Sequence, residues 1–551
     1  MIEAPTREHV RRIAFPAMRS FPALFVDYCT RYEALAAFYN GDFRDPAARR
    51  TAADRAEAYD RDRSRLADVL LDQNARWGLD EPTRAHIEAL RGSETIAVVT
   101  GQQAGLFTGP LYTLYKTLTV LQLARRLAEE TGRPTVPVFW LAGEDHDFDE
   151  VATVHLERRN ELVSLTYAGY TLPEHGNLGP VGRLPLGPAI EPLLDEVEDI
   201  LPPTDFHAEV MAMLRRAYHP GATLLDAFAR LMRSFFAGSG LVFINPDDAR
   251  LKRLAMPLFR RELEDHATSA ARVAEASDRL AAAGYHVQVH HQPTNLFLLE
   301  PDGRYALDAE GEDRFRLRRT DRLFTRAALL ERLEAHPEHF SPNVILRPLM
   351  QDHLLPTAAY VAGPGEVSYF AQYRGVYDWA GIPMPIIYPR ASVTLVESKV
   401  QKVLDRYERT VPDFREEVDK LFRTLVLEGL DVDLDAVFNE KSRYLHQAIN
   451  ELKPVIEGVD RTLVRAAEAT RAALLKELAH LEERVVKAAR RQQDTVRSQL
   501  AKARVNLFPD GSLQERVLSP IYYLNKYSPS LIDDLRDTLS LDTTMHQVVE
   551  L

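Results

Sequence analysis

A glycine-rich segment followed by an isolated lysine is the first group of residues whose types suggest chemistry. Our candidate substrate contacts within it are Gly101, Gln102, Gln103, Thr108 and Gly109. Glycine lets the backbone approach a ligand closely, and the start of a helix after this segment would offer N–H groups to an anion. Lys116, the only lysine among the first 250 residues, would lie close to that helix start, where its ammonium could act on the same anion as a catalytic group. The spacing is neither that of a Walker A loop nor that of a dinucleotide fingerprint, and a purely steric role for the glycines stays open.

Residues 143–150 form an acidic segment with five carboxylates and one histidine. We select Asp145, His146 and Asp147 as candidate catalytic residues, because a general base must be a proton acceptor of this kind. The same side chains could bind a divalent cation, but no further ligands can be named, so we assign no metal site. Acidic residues also favour a helix start or a solvated loop, which leaves a structural role open.

Two arginines and a Gly-Pro-Gly turn mark the third group, within residues 342–390. Its candidate substrate contacts are Arg347, Gln351, Gly363, Gly365, Glu366, Tyr369 and Arg390. An arginine can hold a carboxylate or a phosphate through two parallel hydrogen bonds. Each of the two arginines could equally form a structural salt bridge.

The apolar pattern predicts a scaffold that would bring these groups together. Residues 95–100 and 135–142 are apolar runs typical of buried strands, and residues 110–130 between them have helical periodicity. Strand, helix and strand in this order predict parallel strands, and such sheets bind ligands at the carboxyl ends of their strands. Further strands are expected at residues 241–245, 286–299, 354–362 and 383–389. His290 and His291 would point to opposite faces of one of them, so we do not select them as ligands.

Helical sequence flanks this α/β core. Residues 1–92 are predicted to be largely helical, and residues 392–428 and 433–503 have few Gly or Pro and many Ala, Leu, Glu, Arg and Lys. Apolar residues in the second run step by four and three, at Leu474, Leu478, Leu481, Val485 and Ala488. This spacing predicts an antiparallel coiled-coil hairpin that could mediate dimerisation. A solvated helical stalk is the alternative.

These patterns divide the chain into five segments. Residues 1–150 would hold the N-terminal helices and the first half of the core, 151–330 connective insertions with further core elements, and 331–391 the second half of the core. Residues 392–506 would form the coiled-coil arm, and 507–551 a C-terminal segment that packs back on the core. In this last segment Ser512 and Glu515 have the spacing of a capping box.

Composition limits the partners. The net charge of -13 argues against nucleic acid, because binding phosphates requires clustered Lys and Arg. No apolar run is long enough for a membrane helix, and the N-terminus has no apolar segment of signal-peptide length. Cys29 is the only cysteine, which excludes intrachain disulfides. We therefore expect a cytoplasmic protein with no nucleic-acid or membrane partner.

The chain resembles the bacillithiol-biosynthesis cysteine-adding family (BshC) in six blocks that occur in the same order. They are VTGQQAGLFTGPLYTLYK, VPVFWLAGEDHDFDEV, SPNVILRPLMQDHLLPTAAYVAGPGEVSYFAQ, PIIYPRASVTLVE, FPDGSLQERV and YYLNKYSPSLIDDL. Residues 151–330 match less distinctly. The resemblance implies an α/β fold with a Rossmann-like parallel-sheet core, connective insertions and a long antiparallel α-helical coiled coil that forms a homodimer.

The resemblance also implies an activity, the last step of bacillithiol synthesis, in which a ligase joins L-cysteine to glucosaminyl malate through an amide bond. It further implies binding of ATP or ADP, which Mg²⁺ could accompany. By resemblance, the candidate nucleotide contacts are Phe508, Gln514, Arg516, Asn525, Lys526 and Tyr527. In the alternative, Phe508 and Tyr527 are core residues and Gln514 belongs to a helix cap.

Amide formation assigns roles to the candidates. A carboxylate is a poor acyl donor, so the cysteine carboxylate would be activated by ATP, with Lys116, Arg347 and helix N–H groups near the phosphates. A residue of the acidic segment would take the proton from the attacking amine. Arg390 would hold the malate carboxylates.

Two other functions stay open. A nucleotidylyl transferase of the class I synthetase-like type shares the Rossmann core, although its HxGH signature is missing after the first core strand. A non-enzymatic coiled-coil scaffold would not need polar residues at the strand ends. Cys29 lies in none of the three groups, which favours cysteine as a substrate rather than as a nucleophile.

Overall fold

The computed structural model describes residues 10–173, 177–311, 313–429 and 434–551. Its strands are β1 (Val10–Ala14), β2 (Ile96–Gln103), β3 (Thr135–Ala142), β4 (Thr153–Arg158), β5 (Glu161–Thr166), β6 (Val242–Ile244), β7 (Leu296–Glu300), β8 (Gly303–Ala309), β9 (Arg314–Leu317), β10 (Leu323–Thr325), β11 (Phe340–Pro342), β12 (Thr357–Ala362), β13 (Ile386–Pro389), β14 (Val393–Val396) and β15 (Met545–Glu550). Its α-helices are α1 (Phe15–Met18), α2 (Ala23–Thr30), α3 (Pro46–Ala58), α4 (Arg63–Trp77), α5 (Glu81–Ala89), α6 (Leu111–Thr131), α7 (Phe148–Val151), α8 (Ile190–Ile200), α9 (His207–Ala217), α10 (Leu224–Phe235), α11 (Ala249–Ala282), α12 (Arg326–Ala335), α13 (Leu346–Leu354), α14 (Pro364–Phe370), α15 (Arg374–Ala380), α16 (Ser398–Arg406), α17 (Val418–Gly429), α18 (Leu434–Val459), α19 (Val464–Leu507), α20 (Gln514–Val517), α21 (Pro520–Tyr527) and α22 (Leu531–Thr538).

The chain divides into two compact units. The larger contains Met1–Val396 and Ser512–Leu551, and the smaller contains Glu397–Gly511. Among the described residues, no helix combines the length and the apolar character that crossing a membrane requires.

A five-stranded parallel sheet in the order β13-β12-β2-β3-β6 forms the centre of the larger unit. β2 and β3 are paired in register from Ile96 and Thr135 to Gln103 and Ala142, and most of their residues are buried, as their apolar runs predict. α6 connects these two strands and ends at Gly132, whose left-handed φ of 69° favours glycine. The predicted parallel α/β core is therefore confirmed.

A second five-stranded sheet, in the order β10-β9-β8-β7-β11, is antiparallel; β7 to β10 belong to the connective region, and β11 belongs to residues 331–391. The strand predicted at residues 286–299 is extended only from Leu296 onward, so the prediction that His290 and His291 lie on a strand is wrong. The backbone of Val289 instead bonds the Gln372 side chain, and Pro293 has no N–H for a strand ladder.

A three-stranded sheet places β15, from the end of the chain, between β1 and β14. β15 runs antiparallel to β1 and parallel to β14. The prediction of a helix from residue 392 is wrong at its start, because Val393–Val396 pairs with this distant strand. The predicted capping box is also wrong, since α20 begins at Gln514 without a side-chain cap.

The smaller unit is a helical hairpin. α18 and α19 run antiparallel, with an ion pair between Lys453 and Glu468 and a 3.5 Å contact between Asn450 Oδ1 and Arg471 Nη1. Closer to residue 507, α19 contacts α17 through the ion pair of Arg497 with Asp419, and Arg504 pairs with Glu417 just before α17. The long antiparallel coiled coil is confirmed.

The apolar seam predicted on α19 is partly exposed in the single chain. Leu474 and Leu481 are 41% and 51% exposed. The side chains at Ala488 and Gln492, which continue the predicted seam, lie outside the described residues.

Candidate active site

A cavity of about 830 Å³ lies at the carboxyl ends of the parallel strands in the larger unit. Its wall contains the ends of β2 and β12, the loops after β3 and β13, and part of the antiparallel sheet. The residues selected from the sequence that line it are Gly101, Gln102, Gln103, Lys116, Asp145, His146, Arg347, Gly363, Gly365, Glu366, Tyr369, Arg390 and Arg516. Members of all three polar groups therefore meet at the edge where parallel α/β sheets bind ligands.

Lys116 is buried in the cavity wall, and all three of its N–H donors are in use. Its Nζ lies 2.8 Å from Gly101 O, 3.2 Å from Gln102 Oε1 and 2.5 Å from Glu366 Oε2. Because a lysine ammonium has three donors, direct contact with a phosphate would require one of these bonds to break. Lys116 thus ties the end of β2 to the start of α14, which is a positioning role rather than the expected contact with the substrate.

Glu366 is the buried counterpart of Lys116. Its Oε1 accepts a hydrogen bond from Tyr360 OH at 2.7 Å, and its Oε2 accepts one from Gly363 N at 2.6 Å. Burial alone would raise the pKa of Glu366, but the charge of Lys116 and these hydrogen bonds lower it. The carboxylate is therefore ionised, and its bonds fix the Gly-Pro-Gly turn.

Arg347 is a cation that the protein leaves without a counter-ion. Its Nη2 donates to Tyr369 OH at 3.2 Å, and its guanidinium lies 5.9 Å from the centre of the Tyr360 ring. No carboxylate in the described part of the chain lies within ion-pair distance of it. Burial would lower the pKa of Arg347, but the tyrosines and Glu366 raise it above its ordinary value, so the side chain stays charged. Arg347 can therefore receive a carboxylate or phosphate from a ligand.

Arg390 also lines the cavity, but its guanidinium is already paired. Nη1 and Nη2 lie 3.0 and 2.7 Å from the two carboxylate oxygens of Glu515, and both side chains are almost completely buried. Glu515 accepts further hydrogen bonds from Val393 N at 2.8 Å and Ser392 Oγ at 3.0 Å. Arg390 thus forms the structural salt bridge that the sequence left as its alternative role, and its contact with the malate carboxylates stays a prediction.

Asp145 and His146 face the cavity next to Arg304. Arg304 Nη1 lies 3.2 Å from His146 Nδ1 and 3.7 Å from Asp145 Oδ1. Gln103 Nε2 donates to Asp145 Oδ2 at 3.2 Å. Burial would raise the pKa of Asp145, but the hydrogen bonds from His146 and the charge of Arg304 lower it strongly, which makes Asp145 a weak base. His146 keeps its Nε2 without a partner among the described residues.

Thr108 and Gly109 do not line the cavity. Both adopt a left-handed φ, of 73° and 69°, in the turn that leads into α6, and Thr108 is buried. Leu111 N, at the start of α6, donates to Leu518 O at 2.8 Å. The expected anion site at this helix start is therefore partly covered by the C-terminal segment.

Asp147 and Gln351 also lie outside the cavity wall. Asp147 caps α7 by accepting a hydrogen bond from Glu150 N at 3.2 Å. Gln351 is buried in α13, where its Nε2 donates to Asp352 Oδ1 at 2.9 Å. Asp147 thus has the helix-start role that the sequence left as an alternative, and the substrate contact of Gln351 stays a prediction that its position outside the cavity wall does not support.

Of the residues that the resemblance assigns to a nucleotide, Arg516 lines the cavity, and its side chain is exposed. The Gln514 side-chain amide forms two hydrogen bonds with the Leu395 backbone: Oε1 accepts from Leu395 N and Nε2 donates to Leu395 O, both at 2.8 Å. Asn525 Nδ2 donates to Pro202 O at 2.9 Å. Gln514 and Asn525 thus hold the C-terminal segment in place, and their assignment to a nucleotide stays a prediction.

The remaining three nucleotide candidates are not part of the cavity wall. Lys526 Nζ donates to Tyr522 OH at 3.1 Å and lies 5.7 Å from the centre of the Tyr527 ring. Tyr527 packs against the hydrophobic core. Phe508 belongs to the smaller unit and is buried, as the core alternative expects.

Four charged residues of the cavity wall, Glu144, Glu150, Arg304 and Arg318, were not selected from the sequence. Glu144 lines the cavity and forms a buried ion pair with Lys252 of α11. Arg304, on β8, stacks 3.7 Å from the centre of the Phe297 ring and donates to Ser341 Oγ and Pro342 O. Glu144 could have been found because it belongs to the acidic segment, whereas nothing in the sequence around Arg304 relates it to a segment about 160 residues away.

Cys29 is buried, and it does not line the cavity. It is also far in sequence from the three polar groups. Burial raises the pKa of its thiol well above the ordinary value. A buried, protonated thiol is not a nucleophile, which agrees with the expectation that cysteine is handled as a substrate.

Both units match known families in sequence. Residues 9–391 match the N-terminal Rossmann-like domain of the bacillithiol biosynthesis protein BshC, and residues 393–551 match its C-terminal coiled-coil domain. These matches confirm the Rossmann-like core and the coiled coil predicted from the sequence.

Relatives that match this chain over nearly their whole length are also named BshC. The BshC protein of Salinibacter ruber, named as a cysteine ligase, is 59% identical over 99% of each chain. The BshC protein of Chlorobaculum tepidum is 38% identical over 98% of this chain and 99% of its own, and that of Symbiobacterium thermophilum is 35% identical over 97% and 98%. Because the similarity spans both units, the chain is a ligase that belongs to the BshC family of bacillithiol biosynthesis.

Proposed function

We propose that this ligase joins L-cysteine to glucosaminyl malate through an amide bond in the cytoplasm, with ATP activating the cysteine carboxylate. The observation that carries the proposal is Arg347, a charged guanidinium without a counter-ion in a cavity at the strand ends. All the substrates are anions or carry carboxylates. A half-buried cation that lacks a carboxylate partner is suited to receive them.

Activation is necessary because a carboxylate is a poor acyl donor. ATP would supply a phosphoryl or adenylyl group to the cysteine carboxylate and form a mixed anhydride. The amine of glucosaminyl malate would attack the acyl carbon, the bond from that carbon to the anhydride oxygen would break, and phosphate or AMP would leave. Arg347 and the exposed Arg516 line the cavity where this negative charge would collect.

His146 is the candidate for the proton acceptor. Its Nε2 has no partner in the described chain, and with the Nδ1 proton directed at Asp145 Oδ1, 3.4 Å away, Nε2 is the ring nitrogen that would accept the proton. Asp145 itself is held ionised and hydrogen-bonded. It would orient and stabilise His146 rather than accept the proton.

The cavity fits a nucleotide by charge and size but offers few free oxygen ligands for a metal. Its volume of about 830 Å³ exceeds what one small substrate needs. The carboxylates of Glu366 and Asp145 already accept hydrogen bonds from protein groups. Mg²⁺ would therefore enter on the nucleotide phosphates, which is the usual way that it binds.

The exposed seam of α19 supports a homodimer. Leu474 and Leu481 are seven residues apart, which is one heptad, so both lie on one face of the helix. Exposed leucines at heptad spacing favour pairing with a second copy of the chain.

The proposed activity is tested with purified protein incubated with L-cysteine, glucosaminyl malate and ATP, followed by mass spectrometry. We expect the amide product, with hydrolysis of one ATP for each product formed. A positive control is the Salinibacter ruber relative under the same conditions. Product from the control and none from this chain, with every nucleotide tried, would refute the proposal.

A further inference from the structure

We propose that Glu144 binds the α-ammonium group of the amino-acid substrate and thereby determines which end of cysteine reacts. This inference rests on the proposed function and adds the subsite for the amino acid. It concerns a carboxylate that the mechanism above does not use.

Glu144 is held rigidly on one side and open on the other. Its Oε1 pairs with Lys252 Nζ, which is completely buried and also donates to Phe340 O at 2.9 Å. Its Oε2 accepts no hydrogen bond from any described residue and is not sealed from the cavity that Glu144 lines. One oxygen of an otherwise buried carboxylate thus remains available to a ligand.

The backbone around Glu144 is fixed as well. Gly182 N donates to Gly143 O at 2.8 Å, and Val181 N donates to Asp145 O at 2.7 Å. A Cβ atom at position 143 would lie 3.1 Å from Gly182 Cα and 2.6 Å from Leu225 Cδ1, so the loop after β3 packs closely against the backbone at Gly182. A preorganised carboxylate loses little conformational entropy when it binds a cation.

The other three carboxylates of the cavity are less suited to an ammonium group. Glu366 accepts hydrogen bonds on both oxygens from the protein, and Asp145 likewise accepts on both. Glu150 is exposed, and one of its oxygens accepts from Gln103 Nε2 at 2.7 Å. Glu144 is the buried carboxylate of this wall with an oxygen to spare.

The reaction itself requires such a subsite. Two amines are present, and the one on glucosaminyl malate must lose its proton to attack, whereas the α-amine of cysteine must stay protonated so that cysteine does not condense with itself. A carboxylate in a low-dielectric wall favours the charged form of an ammonium beside it. Binding the α-ammonium at Glu144 would keep it unreactive and direct the cysteine carboxylate to the activating nucleotide.

The test compares the binding of L-cysteine and of mercaptopropionate, which is cysteine without its α-ammonium, by calorimetry on the full chain. We expect the wild type to bind cysteine at least about tenfold more tightly, the size of one charge-assisted hydrogen bond. Glu144→Gln should remove this preference and leave the affinity for glucosaminyl malate unchanged. Glu150→Gln, a carboxylate change in the same wall, should keep the preference.

Glu144→Gln leaves Lys252 buried without a counter-ion, so the variant could lose stability. The double variant Glu144→Gln/Lys252→Met removes both charges and serves as the folded alternative. If either folded variant keeps the wild-type preference while the wild type makes product, Glu144 is not the subsite and the proposed function stands. If the wild type binds no cysteine and makes no product, the proposed function fails, and this inference fails with it.

Discussion

Replacing Lys116 with methionine tests whether this lysine is a positioning residue or a direct contact for phosphate. Methionine keeps most of the length of the side chain and removes the ammonium. The variant leaves Glu366 in the wall with hydrogen bonds from Gly363 N and Tyr360 OH but without the lysine charge that lowers its pKa. The side chains of Lys116 and Glu366 are only 5% and 17% exposed, so solvent can compensate little of this loss.

The expected cost follows from the burial of the pair. Removing one partner of a buried ion pair typically destabilises a protein by about 3–5 kcal/mol. Lys116 also bonds Gly101 O and Gln102 Oε1, so the end of β2 and the start of α14 should both loosen. A local loss of about 3 kcal/mol corresponds to hydrogen exchange that is more than about hundredfold faster. The double variant Lys116→Met/Glu366→Gln removes both charges and should recover most of this stability.

Hydrogen exchange is measured by mass spectrometry on peptides from β2 and α14. It reports the local loss of stability at these two elements, whether or not the two units of the chain unfold together. Turnover is measured on the same samples. If Lys116 is a positioning residue, the double variant should regain turnover as it regains protection. A double variant that is protected like the wild type but inactive would refute this reasoning and assign Lys116 to the phosphates.

Three further predictions concern other parts of the chain. Arg347→Met should weaken the binding of nucleotide or glucosaminyl malate by at least about tenfold. Its thermal stability should not fall, because the guanidinium has no counter-ion to lose. Calorimetry measures the affinities and thermal unfolding the stability, and unchanged affinity for both ligands would remove Arg347 from the site. Burial raises the pKa of Glu262 to about 7, so the wild type should lose up to about 3 kcal/mol as pH rises from the ordinary carboxyl range to about 7. Glu262→Gln should lack this loss, and parallel pH profiles of unfolding for the two proteins would contradict the assignment. Replacing Leu474 and Leu481 with aspartate should give a monomer by light scattering, and a persistent dimer would place the interface elsewhere.

The parts of the fold that the sequence predicts are those whose pattern is local. Residues 135–142 form an uninterrupted apolar run, and β3 has the predicted bounds. The heptad spacing of α19 is also local and predicts the coiled coil. The helix predicted at Val393–Val396 is a strand, because these residues pair with β15 more than 100 residues away. The capping box predicted at Glu515 is absent there, because this carboxylate pairs with the distant Arg390.

The site was predictable in position but not in the role of each residue. Polar groups after successive parallel strands must meet at one edge, which is why Gln102, Asp145 and Arg347 line one cavity. Whether a charged side chain is free or already paired depends on its tertiary contacts. Spacing could not distinguish Arg347, which has no counter-ion, from Arg390, which is neutralised by Glu515.

The most direct measurement of the central claim follows the carboxylate oxygen of cysteine. The enzyme is incubated with cysteine labelled with heavy oxygen in its carboxylate, unlabelled glucosaminyl malate and ATP, and the nucleotide products are examined by mass spectrometry. The account predicts one labelled oxygen transferred to phosphate or to AMP for each amide formed, because the anhydride oxygen leaves with the activating group. Amide formation with no label in phosphate or in AMP would contradict activation of the carboxylate by ATP.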